Sequence, residues 1–212
     1  EIAINPIHNI HKKYRTMNFV NPYVFAPPVD LSTNTEIGGV ASTISTPALL
    51  ATKLAIDVSR ISNFTVVGSD IKCRITGSYN FVWGSDSALT YYKDLDGLAT
   101  FNGGCFNFCT NLLEVYSKTT GALGFRAFDT YYSSSIIKII YIPNVTNFGG
   151  SIGDDQVFRD MSNRSPHPFK LYVHSSLATC NAGNPDSDLT TAITIGATVR
   201  YVTNFTSPLT TT

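Results

Sequence analysis

Cysteine and histidine are the first candidates for chemistry, because both bind metals and cysteine also takes part in redox reactions. The sequence contains four of each. Cys105 and Cys109 are the closest pair of cysteines, but their spacing is longer than that of a Cys-x-x-Cys motif. Zinc would need further cysteine or histidine ligands at regular spacing, and none lies nearby in the sequence. We therefore predict thiols packed in the core, with a disulfide as the alternative, and we predict no metal ion and no cofactor.

Pairs of acidic residues could serve glycoside hydrolysis or bind calcium. Each close pair lies beside glycine, asparagine or serine, where aspartate commonly stabilises a turn through its own side-chain hydrogen bonds. None has the spacing of a calcium-binding loop, and the sequence contains no nucleophile elbow, phosphate loop or dinucleotide fingerprint. We predict no catalytic residue, and we interpret these pairs as turn residues: Asp94 and Asp96, Asp154 and Asp155, Asp186 and Asp188.

Tyrosine is the residue type that most favours a binding function. Its ring is apolar and its hydroxyl is polar, which suits contact with sugars or with protein partners at a surface. The alternative is that the rings pack between structural units inside the protein. Two adjacent pairs are the predicted binding residues: Tyr91 and Tyr92, Tyr131 and Tyr132.

The composition limits the class of protein to which the chain can belong. Fifteen acidic residues balance fifteen basic ones, so the sequence lacks the surplus of positive charge that a nucleic-acid binder needs. Hydrophobic residues make up 43% of the 212 residues, which is enough for a sizeable core. No apolar run approaches the roughly 20 residues that span a bilayer, so we predict no membrane insertion. The many Thr, Tyr, Phe, Val and Ile residues favour strands, and the fold class is predicted to be mainly β with one or two helices.

Residues 1–45 are predicted to form an extended N-terminal arm. Proline interrupts this region at several points, so a regular element cannot run through it. Phe19, Tyr23 and Phe25 are nevertheless too apolar for a free linker. We predict that they dock on a neighbouring molecule during assembly, and the alternative is that they cover the core of their own chain.

Residues 46–75 are predicted to contain a helix followed by a hairpin. Thr46 can cap a helix, and Pro47 fits its first turn. Two alternating segments on either side of Gly68 have the pattern of a hairpin. The helical spacing predicts one buried face formed by Leu50, Leu54 and Val58.

Residues 76–168 contain a repeated pattern. Each unit has a short apolar strand, a turn with glycine, an aromatic residue, a polar turn and another apolar strand. Phe101, Leu123 and Phe148 mark unit starts at spacings of about 22 and 25 residues, within the range of leucine-rich repeats. Because one such unit cannot bury its own apolar side, stacked units must share a core. We predict a short, irregular leucine-rich-repeat-like solenoid, which residues 169–212 close with a C-terminal cap and tail.

Three stretches carry a resemblance to BspA-type leucine-rich repeats: FNGGCFNFCTNLLEVY, LGFRAFDTYY and IIYIPNVTNFGG. The resemblance extends over about residues 76–202, although the unit lengths vary and Phe, Ile and Val replace most of the leucines. The segment before the repeats resembles tail, baseplate or fibre proteins of bacteriophages.

These resemblances imply a non-enzymatic structural protein of a bacteriophage virion, in the tail, the baseplate or a head fibre. Its expected partners are other virion proteins and further copies of itself, with a host-surface glycan or protein as a possible receptor. The first alternative is a bacterial cell-surface adhesin repeat domain that binds a host glycan or protein. The second alternative is a carbohydrate-active enzyme.

Overall fold

The computed structural model describes residues 33–124, 126–128, 137–148, 157–158 and 168–203. The fold and the contacts given below are those of these residues. Five residues singled out from the sequence lie outside the described ranges: Phe19, Tyr23, Phe25, Tyr131 and Tyr132.

Short strands dominate the described chain. The strands are β1 (Thr35–Gly38), β2 (Ile61–Val67), β3 (Asp70–Ile75), β4 (Tyr79–Phe81), β5 (Tyr91–Asp94), β6 (Ala99–Phe101), β7 (Glu114–Ser117), β8 (Ile139–Ile142), β9 (Phe169–His174) and β10 (Ala197–Val202). The α-helices are α1 (Pro47–Leu54) and α2 (Ser187–Thr194), and short 3-10 helices occur at Val58–Arg60 and Ser175–Ala178.

Eight of the strands form one open, mixed sheet in the order β10-β9-β8-β7-β5-β1-β3-β2. From β5 to β10 the neighbouring strands are parallel, whereas β1 runs antiparallel to both β5 and β3. Strands β4 and β6 form a separate parallel pair. The predicted fold class of mainly β with one or two helices is confirmed for the described residues.

One face of the large sheet packs on the core. Tyr92, Val115, Ile140 and Leu171 lie in register on four successive parallel strands, and all four are fully buried. Because adjacent residues of a strand point to opposite faces, the residues directly before and after these four lie on the other face of the sheet. We call this other face the outer face.

A column of aromatic rings fills the core beneath the parallel strands. The Phe106 and Phe128 rings are stacked with centroids 5.2 Å apart, and the Phe128 and Phe158 rings are stacked with centroids 5.6 Å apart. The three rings come from successive predicted units, and the residues marking the unit starts are buried as well: Phe101, Leu123 and Phe148.

Helix α1 begins where the sequence predicts and ends earlier. The Leu49 N–H donates a hydrogen bond to the Thr46 hydroxyl oxygen at 3.3 Å, and Pro47 occupies the first turn. The helix stops at Ala55, whose φ of 52° is left-handed. Val58 therefore falls in the following 3-10 helix and is 48% exposed, so its predicted place on the buried face is wrong.

Residues 33–45, which the sequence assigns to the arm, belong to the folded body. Strand β1 lies between β3 and β5, and Ile37 is fully buried there. Val40 and Ile44 follow it into the core. This segment joins the antiparallel hairpin of β2 and β3 to the parallel strands.

A buried carboxylate organises the turn after β5. The Asp94 side chain accepts hydrogen bonds from the N–H groups of Gly97, Leu98 and Ala99 and from the Ser117 hydroxyl, at 3.0–3.2 Å. Gly97 has a φ of 72°, and a side chain there would collide with the Lys118 carbonyl. Asp94 is therefore a turn residue, as the sequence predicts. This turn leads the chain from β5 to β6.

Candidate binding face

A row of tyrosines crosses the outer face of the sheet. Lys93, Tyr116, Tyr141, Tyr172 and Arg200 occupy matching positions on β5, β7, β8, β9 and β10. The ring centroids of Tyr116 and Tyr141 are 6.0 Å apart, and those of Tyr141 and Tyr172 are 5.2 Å apart. Parallel strands lie about 4.8 Å apart, so in-register tyrosines come into ring contact. The row is an aromatic strip with a positive charge at each end.

The rings in the middle of this row are shielded from solvent. Tyr116 is 7% exposed and Tyr141 is 3% exposed, whereas Tyr172 is half-buried. Burial raises the pKa of Tyr116 to about 12 and also raises the pKa of Tyr141, so both hydroxyls stay protonated at neutral pH. The row offers most of its accessible surface near Tyr172 and Arg200.

Charged side chains surround the other end of the row. The Lys93 ammonium lies 5.0 Å from the centroid of the Tyr91 ring and 5.9 Å from that of the Tyr116 ring. The Glu36 carboxylate forms two ion pairs, with the Lys93 ammonium at 3.3 Å and with the Lys72 ammonium at 3.4 Å. Ion pairs this exposed contribute about 0–1 kcal/mol each, so they orient the side chains more than they stabilise the fold.

Tyr91 rests against the backbone of β1. Its ring occupies the space where a side chain at Gly38 would be, and its hydroxyl donates a hydrogen bond to the Asp70 carboxylate at 3.0 Å. Burial opposes ionisation of Asp70, but hydrogen bonds from the Gly39 N–H, Tyr91 and Ser69, together with the positive charge of Lys72, outweigh it and lower the pKa of this carboxyl. Burial, and then the nearby carboxylate of Asp70, raise the pKa of Tyr91.

A second row of residues on the outer face leads to a hollow. Glu114, Ile139, Lys170 and Thr198 lie in register on β7, β8, β9 and β10, toward the beginning of each parallel strand. A hollow of about 390 Å³ opens here, and its lining residues are Lys138, Ile139, Pro168, Phe169, Lys170 and Thr198.

The predicted binding residues Tyr91 and Tyr92 lie on opposite sides of the sheet. Tyr92 points into the core, is 0% exposed, and its hydroxyl oxygen is 2.7 Å from that of Tyr79. A surface ligand therefore cannot reach Tyr92, because adjacent strand residues face in opposite directions. Tyr91 is half-buried on the outer face, and its role in binding stays a prediction.

Lys138, Lys170 and Arg200 were not among the binding residues predicted from the sequence. They come from separate segments of the chain, and only the pairing of β9 and β10 brings Lys170 and Arg200 to one face. Lys138 directly precedes β8 and lines the hollow beside Lys170. The alternation of residues within the FKLYVH strand does place Lys170 and Tyr172 on one side, and this is the signal that the sequence offers.

The cysteines are all free thiols. Cys73, Cys105 and Cys109 are buried in the core, and Cys180 is half-buried. Burial raises the pKa of Cys73 and of Cys109 to about 12, so these thiols are protonated at neutral pH. The prediction of core thiols is confirmed for these residues.

The remaining candidate acids act as local hydrogen-bond acceptors. Asp186 caps helix α2, where its carboxylate accepts a hydrogen bond from the Asp188 N–H at 2.9 Å. Asp188 accepts one from the Val157 N–H at 2.7 Å and so joins α2 to the segment that carries Phe158. Asp154 and Asp155 lie outside the described residues. Within the described ranges, no group of three metal-binding side chains comes together, and neither helix is long and apolar enough to cross a membrane.

Comparison with known proteins identifies no relative of this chain. No protein-family model, curated protein or solved structure matches it.

Proposed function

We propose that the chain is a non-enzymatic structural protein of a bacteriophage virion, a tail, baseplate or head-fibre component that acts in assembly and attaches the particle to the host surface. The observation that carries the proposal is the outer face of the sheet. There, the accessible end of the tyrosine row, Tyr172 beside Arg200, lies on parallel strands, and tyrosine next to arginine is the composition that binding surfaces favour.

The scaffold is proposed to be a short leucine-rich-repeat-like solenoid over residues 76–168. Strands β5, β7 and β8 add to the sheet in parallel, and each predicted unit contributes one ring to the stack of Phe106, Phe128 and Phe158. A shared ring column of this kind is what stacked repeats need, since a single unit has too little apolar surface to fold alone.

Attachment through tyrosine has a direct physical basis. The C–H groups of a sugar pack on an aromatic ring, while the phenol hydroxyl and neighbouring charged groups bond the sugar hydroxyls. Tyr172 is half-buried, and the exposed Arg200 is its in-register neighbour on β10. A host-surface glycan, or a protein rich in polar side chains, would fit this part of the face.

Assembly is proposed to use the N-terminal arm. Phe19, Tyr23 and Phe25 would dock on a neighbouring virion protein or on another copy of the chain. Docking on another copy would give a homo-oligomer. In this account the arm holds the protein on the particle, and the outer face of the sheet is left for the receptor.

Immunogold electron microscopy tests the location. Antibody to this chain would be applied to purified phage particles and to cell envelopes from the same source, with preimmune serum as the control. Label at a fixed position on the particles is expected, and that position separates the head from the tail. Label on cell envelopes with none on particles would overturn the proposal in favour of the bacterial adhesin.

A further inference from the structure

The hollow on the outer face combines features that suit an acidic sugar. Its floor is built from Ile139, Lys170 and Thr198, which are in register on three neighbouring strands. The backbone around it is fixed by the ladder, as the N–H of Lys170 donates to the carbonyl of Lys138 at 2.8 Å. The volume of about 390 Å³ is in the range of small-ligand sites.

Two positively charged side chains, Lys138 and Lys170, border the hollow. Lys138 and Lys170 are exposed, and within the described part of the chain neither ammonium has a carboxylate at ion-pair distance. Arg200 lies two residues after Thr198 on the same strand face and adds a third cation. Glu114 is the acidic neighbour in this row, and it lies on the far side of Ile139. A cationic area of this kind stands out in a chain whose net charge is zero.

An aromatic ring lies at the distance of one sugar unit from these charges. Tyr172 follows Lys170 by two residues and points to the same face, which places the two side chains about 7 Å apart along the strand. A pyranose ring is of similar size. A carboxylated sugar can therefore pack on Tyr172 while its acid group reaches Lys170 and Lys138.

We infer that this hollow binds an anionic glycan, a chain of sugars bearing carboxylate groups. The inference deepens the attachment role proposed above and names the class of receptor. Lys138 and Lys170 bind the carboxylate, Thr198 hydrogen-bonds a sugar hydroxyl, and Tyr172 packs against the neighbouring ring.

Isothermal titration calorimetry of the full chain tests the inference. The probe is the trisaccharide of galacturonic acid, and the matched control ligand is the neutral galactose trisaccharide of the same linkage. The acidic probe is expected to bind at least tenfold more tightly than the neutral one, and its affinity is expected to fall as salt rises. Equal binding of both sugars, or no binding of the acidic one, would overturn the inference.

Two lysine replacements locate the site. Lys138→Met and Lys170→Met keep the aliphatic stem and remove the charge, so the fold is retained. Each is expected to weaken binding about three- to fivefold, the size of one exposed ion pair, and the double variant about tenfold or more. Lys72→Met, on the same face but distant from the hollow, is the control and is expected to leave binding unchanged. An affinity that falls equally in all three single variants would overturn this location.

A free-anion control separates sugar recognition from simple charge attraction. Sodium acetate at the concentration of the acidic probe should neither bind detectably nor compete with it. Competition by acetate at equal concentration would mean that an isolated carboxylate suffices, and would overturn the role of Tyr172. The location tested by immunogold labelling does not depend on any of these results, so failure of one proposal is distinguishable from failure of the other.

Discussion

Phe128 is the middle ring of the stacked column, and its removal is the strongest test of the packing. Its ring is fully buried and lies nearly parallel to Phe106 and Phe158, at interplanar angles of 10° and 8°. Phe128→Ala removes both ring contacts and leaves a cavity. Core Phe→Ala changes cost about 3–5 kcal/mol, and each aromatic pair accounts for about 0.5–1.5 kcal/mol beyond its buried area.

We therefore expect the free energy of unfolding to fall by about 4 kcal/mol. For a chain of this size the melting temperature should fall by roughly 8–16 °C. Urea denaturation followed by circular dichroism measures the change, with Phe128→Leu as a variant that keeps much of the volume and should cost about half as much. Phe106→Ala and Phe158→Ala are expected to fall in the same range.

Val82→Ala is the matched surface control. Val82 is 49% exposed, so its replacement should change the free energy of unfolding by no more than about 0.5 kcal/mol. A cost below about 1 kcal/mol for Phe128→Ala would refute the stacked column, and with it the proposed repeat register.

Three further changes test other parts of the structure. Gly38→Ala should cost about 1–3 kcal/mol because the new methyl group collides with the Tyr91 ring and with the Thr90 hydroxyl oxygen. Thermal melting of the double variant Gly38→Ala/Tyr91→Ala should show relief of the collision with the ring only. The pKa of Asp70 in the folded protein is lower than its ordinary value of 3.8. The ionised Asp70 carboxylate therefore stabilises the fold above pH 3.8, and this stabilisation is lost as the pH falls below 3.8. Asp70→Asn should flatten this part of the curve of unfolding free energy against pH. An aromatic disulfide reagent at pH 8 should react in the native protein first with the thiol of the half-buried Cys180, and with all four thiols after denaturation. Reaction of Cys73, Cys105 or Cys109 before Cys180 in the native protein would contradict their burial.

Local features of the fold were predictable from the sequence because short-range chemistry determines them. Thr46 and Pro47 specify the start of α1 through a side-chain cap and a fixed φ angle. Gly68 and its neighbours specify the turn between β2 and β3. The left-handed Ala55 that ends the helix has no such signal in the sequence, and this is why the helical spacing predicts the wrong face for Val58.

The outer face depends on long-range pairing, which the sequence does not reveal. Tyr91 and Tyr92 are alike as a sequence pattern, and only the sheet assigns one to the surface and the other to the core. The hollow likewise requires Ile139, Lys170 and Thr198 to come into register across three strands that are far apart in the sequence. The insertion of β1 between β5 and β3 is a non-local pairing of the same kind.

A competition experiment tests most directly whether the outer face attaches the particle to its host. Purified wild-type protein, added to host cells before the phage, is predicted to occupy the receptor and to slow phage adsorption. The Lys138→Met/Lys170→Met variant, folded to the same melting temperature, should slow adsorption much less at the same concentration. Unchanged adsorption with saturating wild-type protein, or equal inhibition by both proteins, would contradict attachment through this face.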